Sequence, residues 1–130
     1  MKKLVVISIL FIALIGVGIF ETVSTYAYFS DLSENLTALG KSVITTPEDE
    51  INDSAVEEAD RIMQKWEEKR GTFYVFYNNN VLNSLFDRIT QARTYLHGGR
   101  NIDARASLDA ASFYASTVAR DILPIPINYV

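Results

Sequence analysis

The stretch that decides the fold is WEEKRGTFYVFYNNN, from Trp66 to Asn80, which places five aromatic side chains in fifteen positions. The β-forming residues of TFYVFY, followed by three asparagines, fit a strand and its turn. A hairpin, however, needs a partner strand, and the VLNSLF that follows does not alternate apolar and polar residues. An isolated two-stranded hairpin is also only marginally stable in water. The stretch is better explained as a helix.

Apolar residues run through this stretch at helical spacing. They advance in steps of three and four, with one double step across Lys69 and Arg70, at Trp66, Phe73, Tyr77, Val81, Leu85, Ile89, Ala92 and Leu96. Gly71 and the asparagines each weaken a helix by less than about 1 kcal/mol, which tertiary packing can override. We expect one long helix, with room for a bend near Gly71, that ends at Gly98 and Gly99.

This helix is expected to begin at Pro47, with Thr46 as its N-cap and acidic residues in its first turn. Its first turns carry the apolar stripe Ile51, Ala55, Ala59, Ile62 and Trp66.

A further helix is expected after Gly99, with Asn101 as its N-cap. Its stripe is mostly small, at Ala104, Leu108, Ala111, Ala115, Val118 and Ile122, so another helix can approach it closely. The short connection makes it an antiparallel neighbour of the helix before it. Pro124 and Pro126 end it and leave an extended tail.

The N-terminus predicts a membrane anchor over residues 1–22. Lys2 and Lys3 precede an uncharged run from Leu4 to Phe20, which as a helix measures roughly 26 Å and approaches the hydrocarbon thickness once Thr22 and Val23 are added. The lysines favour a cytoplasmic N-terminus and a chain that otherwise lies outside the cytoplasm. Two alternatives remain open. One is a secretory signal cleaved after the triplet at residues 25–27, and the other is a buried helix of a soluble protein.

After the anchor, a juxtamembrane helix is expected over residues 23–40, because Tyr28, Leu32, Leu36 and Leu39 keep helical spacing up to Gly40. Residues 41–46 are interpreted as a linker, and residues 47–130 as an extracytoplasmic helical domain. The predicted fold class is all-α, an anchoring helix followed by an antiparallel helical bundle.

The charge of the chain excludes some partners. After residue 20 there are ten basic and sixteen acidic side chains, a net charge of 10 − 16 = −6. Such a surface repels phosphate backbones, so we expect no nucleic-acid binding, and attraction to anionic lipid heads only through Lys2 and Lys3. The chain has no cysteine, which removes disulfides, thiolate metal sites and cysteine nucleophiles.

No catalytic constellation is predicted, and no cofactor or metal. His97, the single histidine, is interpreted as a surface residue at a helix C-terminus, and the nearest acidic residue in sequence is Asp103. Asp53, Glu57 and Asp60 share roughly one helix face and could gather a cation weakly, but without EF-hand spacing.

The aromatic residues are the candidate partner or ligand surface. The buried face of a single helix cannot hold all five rings. The five are Trp66, Phe73, Tyr74, Phe76 and Tyr77. They are interpreted either as core or as a patch that docks a partner or an apolar ligand, with Tyr74 the more exposed ring.

The layout resembles a bacterial family known as domain of unknown function 4363. The helix that carries Ala59, Trp66, Lys69 and Phe73 fits that family's first motif, and Ile89 and Asp103 fit the following stretch and loop. The tail at residues 128–130 is a diverged match, and residues 78–80 replace a histidine of the family. The resemblance implies one membrane-spanning segment, a helical domain and a membrane-protein partner, and it implies no activity.

We therefore expect a non-enzymatic accessory or interaction protein of the bacterial cell envelope. The alternative is an extracytoplasmic ligand-binding bundle whose pocket is lined by aromatic rings. A cavity lined by Trp66 and Phe73 would favour this sensor-like function, whereas a filled core with an exposed patch would favour the accessory protein. The sequence leaves the oligomeric state open.

Overall fold

The computed structural model describes residues 1–76 and 79–122, with the backbone alone for residues 74–76 and 79. This part of the chain contains four α-helices and no strand, which confirms the all-α fold class. The helices are α1 (Lys2–Ile44), α2 (Asp53–Phe76), α3 (Asn79–His97) and α4 (Asn101–Ile122). α4 packs along both α1 and α3, and α2 completes the bundle against α3 and α1.

Helix α1 has two halves with opposite surroundings. Every residue from Met1 to Glu21 is exposed, and this half is long and apolar enough to cross a membrane, judged by length and composition. The second half buries its apolar stripe in the bundle core, at Phe29, Leu32, Leu36, Leu39 and Val43. One uninterrupted helix therefore joins the apolar half to the bundle.

The expected helix end at Gly40 is wrong, since α1 continues to Ile44. Gly40 lies inside the helix, where a Cβ would stand 3.6 Å from Asp109 Oδ1 and 3.8 Å from Leu108 Cβ of α4. Burial of Val43 at 2% exposure keeps one more turn helical. Residues 41–44 are thus part of α1, and residues 28–43 belong to the same bundle as residues 53–122.

The single long helix expected from residue 47 to residue 96 is two helices. Asp60, near the start of α2, contacts Arg93 and His97, near the end of α3, so the two helices run antiparallel. α2 ends at Phe76 and α3 begins at Asn79, so Gly71, the position considered for a bend, lies inside α2. A straight helix of that length would measure about 75 Å and carry much of its apolar stripe beyond the reach of α4. Tyr77 and Asn78 lie outside the described residues.

The start of α2 also differs from the expectation. The helix begins at Asp53 and is capped by Asn52, whose Oδ1 accepts the Ala55 N–H at 3.1 Å. Thr46 instead accepts a hydrogen bond from Asn52 Nδ2 at 2.9 Å. Ile51 precedes the helix and is 55% exposed, so it is not a core residue.

The turn at residues 47–50 caps α4 from a distance. Glu48 accepts the backbone N–H groups of Asn101 and Ile102, at 2.7 and 3.1 Å. The Asn101 side chain is turned away from its own helix and donates to the carbonyls of Pro47 and Glu50, at 2.8 and 2.9 Å. Asn101 is therefore not the N-cap that its position suggested, because Glu48 takes that function.

The small-residue stripe of α4 is buried, as expected for the close approach of another helix. Ala104, Ala111 and Ala115 are each 0% exposed. On the α1 side, a hydroxyl cluster joins the two helices, with Ser112 Oγ donating to the Ser33 carbonyl at 3.0 Å and lying 2.6 Å from Thr37 Oγ1. The stripe is thus used within the chain, against α1 and α3.

Candidate functional site

Four aromatic rings form one cluster where α1 and α2 meet. Phe29 of α1 lies with its ring centroid 4.8 Å from Phe73 and 6.0 Å from Trp66. Tyr28 stands 5.2 Å from Phe73, and Trp66 lies 5.9 Å from Phe73. Phe29 and Trp66 are 0% exposed and Phe73 is 5% exposed. The rings therefore fill the core at the end of the bundle nearer the apolar half of α1.

The predicted aromatic surface divides in two. Trp66 and Phe73 are core residues and offer no free surface to a partner. Tyr74 and Phe76 lie in α2, but their side chains are outside the described structure, and Tyr77 is outside it entirely. The expectations for these three rings stay predictions.

Tyr28 is the polar edge of the aromatic cluster. Its hydroxyl is buried and meets no hydrogen-bond partner among the described residues, and neither does Trp66 Nε1. Burial raises the pKa of Tyr28 from its ordinary value of 10.0 to about 12, because the phenolate would lose its hydration. Lys69 Nζ lies 4.8 Å from the centre of the Tyr28 ring, in cation–π range.

A groove of about 630 Å³ lies beside this cluster, and we call it the junction groove. It opens between the middle of α1, the last turns of α2 and the end of α4. The lining combines apolar, hydroxyl and charged side chains, among them Phe20, Glu21, Tyr28, Glu68, Lys69 and Phe73. Trp66 does not line it, so the groove is not a pocket around the core tryptophan. It lies where the fully exposed apolar half of α1 gives way to the bundle.

His97 has a carboxylate partner that sequence spacing did not suggest. Its Nε2 lies 3.0 Å from Asp60 Oδ1, and the same oxygen accepts from Arg93 Nε at 2.6 Å. Hydrogen bonds from His97 and Arg93 hold the pKa of Asp60 below its ordinary value. Asp103, the nearest acid in sequence, pairs with Arg100 instead. The described part of the chain places no nucleophile in this cluster, which joins α2 to α3.

The acidic residues at the start of α2 do not form a cation site. Asp60 is engaged by Arg93 and His97, which removes it from the set that included Asp53 and Glu57. Within residues 1–76 and 79–122, no group of three or more histidine, cysteine or acidic side chains could hold a metal ion.

Sequence reasoning missed two residues, one in the aromatic cluster and one that caps a helix. Phe29 joins the aromatic cluster, and its spacing of three and seven residues from Leu32 and Leu36 carried that information. Glu48 caps a helix that begins 53 residues later, and no local pattern connects the two positions.

Comparison of the chain with models of protein families, with curated proteins and with solved structures found no match. The resemblance to domain of unknown function 4363 therefore stays a prediction that rests on the motifs alone.

Proposed function

We propose that this protein is a single-pass, membrane-anchored accessory protein of the bacterial envelope, without enzymatic activity. The observation that carries the proposal is the continuity of α1. Its exposed apolar half has the length of a membrane span, and its other half supplies core residues such as Phe29 and Leu36. A helix without a break between the two holds the bundle at a set height above the bilayer.

The distribution of charge supports the orientation. Lys2 and Lys3 lie before the apolar run, and the next charged residue is Glu21. Basic residues at the end of a span favour the cytoplasmic side. The N-terminus is accordingly proposed to be cytoplasmic, with the bundle outside.

The position of the candidate cleavage triplet supports an anchor that is retained. Thr25, Tyr26 and Ala27 lie inside α1, and Tyr26 packs against the core. Cleavage after Ala27 would remove Tyr26, whose partly buried side chain packs against the core. The secreted alternative would require cleavage of the bond between Ala27 and Tyr28, at the edge of the aromatic cluster.

The burial of Trp66 supports an accessory protein over a bundle with a ligand pocket around that tryptophan. Trp66 is fully buried among rings 5.9 and 6.0 Å away, and among the described residues Phe73 lines the junction groove whereas Trp66 does not. The accessory function would depend on presenting the bundle surface to a membrane-protein partner.

Membrane fractionation tests the anchor. The full chain, tagged after Val130, should stay in membranes after alkaline carbonate washing and keep its unprocessed mass, which is 14.6 kDa plus the mass of the tag. In cells stripped of their wall, added protease should remove the tag. Replacing Leu10 and Leu14 with Arg should release the protein, because each arginine at mid-span costs about 2.5 kcal/mol or more.

The matched control is Phe113→Arg, which changes an exposed apolar residue of the bundle and should leave the protein in the membrane. A tag protected from external protease would overturn the orientation, and a shortened protein in the soluble fraction would overturn the anchor.

A further inference from the structure

The junction groove collects three charged side chains that form no ion pair with the described part of the chain. Glu21 of α1, and Glu68 and Lys69 of α2, all line it and are all exposed. No ion pair within residues 1–76 and 79–122 involves any of the three. Lys69 instead lies over the face of Tyr28. The groove thus offers one positive and two negative groups to whatever enters it.

The end of the groove nearer the N-terminus is apolar and has open space beside it. Phe20 and Gly18 line the part nearer the N-terminus, where α1 is exposed on every side. A Cβ added to Gly18 would meet no atom within 4 Å. Glu21 is the first charged residue after Lys3. Going from Gly18 toward Tyr28, the groove therefore changes from apolar to charged within about three helical turns, or roughly 15 Å.

We infer that the junction groove binds one membrane phospholipid with a zwitterionic headgroup that carries a primary ammonium. This inference rests on the proposed membrane anchor, which places Gly18 and Phe20 at the level of the acyl chains and Glu21 at the headgroups. Lys69 then binds the lipid phosphate, and Glu21 and Glu68 accept hydrogen bonds from the ammonium group. The acyl chains lie along Phe20 and the open face of Gly18.

Charge complementarity selects this lipid class over two others. The three groups sum to one negative charge, so an anionic headgroup without a cation meets net repulsion. A choline headgroup is zwitterionic as well, but its quaternary nitrogen has no N–H to donate to Glu21 or Glu68. The amino headgroup alone satisfies both signs of charge with hydrogen bonds.

The test uses the full chain in nanodiscs made of equal parts phosphatidylethanolamine, phosphatidylcholine and phosphatidylglycerol. Native mass spectrometry after gentle release should show one retained phosphatidylethanolamine per chain. Lys69→Gln should lower that retention about threefold to fivefold, the range for a partly exposed charge pair. Gly18→Leu, which fills the open face, should lower the retention of this lipid too.

The matched control is Lys65→Gln, one turn further from the apolar half on the same helix, which should leave retention unchanged. Equal retention of the three lipids, preference for phosphatidylglycerol, or a second copy of the chain in place of lipid would each overturn the inference. So would Lys69→Gln and Lys65→Gln proteins that retain lipid equally. A chain that inserts into nanodiscs but retains no lipid would refute the lipid-binding inference alone. A chain that does not enter nanodiscs would refute the proposed membrane anchor as well.

Discussion

At the residue scale, Tyr28 links burial to a measurable pH dependence. Its phenol has a pKa of about 12 in the folded protein, against 10.0 ordinarily, because burial disfavours the phenolate. Above pH 10 the unfolded chain releases this proton while the folded protein still holds it. The unfolded state therefore binds fewer protons, and stability falls as pH rises. The contribution is complete below pH 10 and is lost as pH rises through about 12.

The first prediction compares the full chain with Tyr28→Phe in detergent micelles. Urea unfolding, followed by the fluorescence of the single tryptophan, Trp66, should show the parent losing stability from pH 10 upward more steeply than the variant. At neutral pH the variant should be as stable as the parent or slightly more so, because the hydroxyl it removes has no partner in the described structure. Parallel pH profiles would contradict the buried-phenol account.

At the element scale, the turn at residues 47–50 packs against the turn at residues 98–99. This contact holds together the end of the bundle that lies away from the apolar half of α1. Asp49 N–H donates to the Gly99 carbonyl at 2.9 Å, and both residues have positive φ, at 69° and 72°. A Cβ on Gly99 would lie 3.0 Å from the Asp49 carbonyl carbon. Glu48 then reaches the first N–H groups of α4 from the same turn.

The second prediction concerns Gly99→Ala. An alanine there would adopt a left-handed conformation, which costs about 1–2 kcal/mol, and would press on the backbone of Asp49. The matched control is Gly98→Ala, whose Cβ would make only ordinary contacts at 3.7 Å. Urea midpoints should therefore fall for Gly99→Ala and change much less for Gly98→Ala. Equal changes in the two variants would refute the close approach of the turns.

The third prediction concerns the cap of α4. Glu48→Ala leaves two backbone N–H groups of α4 without their acceptor and should cost about 0.5–2 kcal/mol. Glu50→Ala, at the other end of the same turn, should change the free energy of unfolding by no more than about 0.5 kcal/mol. Urea unfolding of the two variants measures the difference, and a Glu48→Ala protein as stable as Glu50→Ala would show that the cap contributes nothing.

At this scale, sequence reasoning predicted the features that depend on residues close together in the chain. The four-and-three spacing of Ala104, Leu108 and Ala111 predicted a buried face, because a helix repeats its side-chain directions over a few residues. The reversal after α2 was missed, since a helical stripe continues across it without a change of period. The Asp60–His97 contact and the Glu48 cap join residues 37 and 53 positions apart, so no local pattern contained them.

At the scale of the whole molecule, the fourth prediction tests the continuity of α1. The chain has no cysteine, so spin labels at Ser8→Cys and Ala38→Cys report one distance. Thirty residues of helix separate them, or about 45 Å, and pulsed electron paramagnetic resonance in nanodiscs should give a narrow distribution near that value. Val23→Pro, placed between the labels, should shorten and broaden it by kinking the helix. A broad distribution in the parent would show that the two halves of α1 move independently.

An unbroken α1 also transmits rotation. One residue added between Glu21 and Tyr28 would turn the bundle by about 100° about the axis of the span and lift it by about 1.5 Å. Seven added residues would come within about 20° of the original azimuth, roughly 10 Å higher. In the proposed membrane-anchored form, the number of residues in this stretch thus sets the direction in which α2 and α4 face within the plane of the membrane. In the same proposed form, a rotation of the span would be transmitted to the bundle, because α1 runs without a break from Lys2 to Ile44.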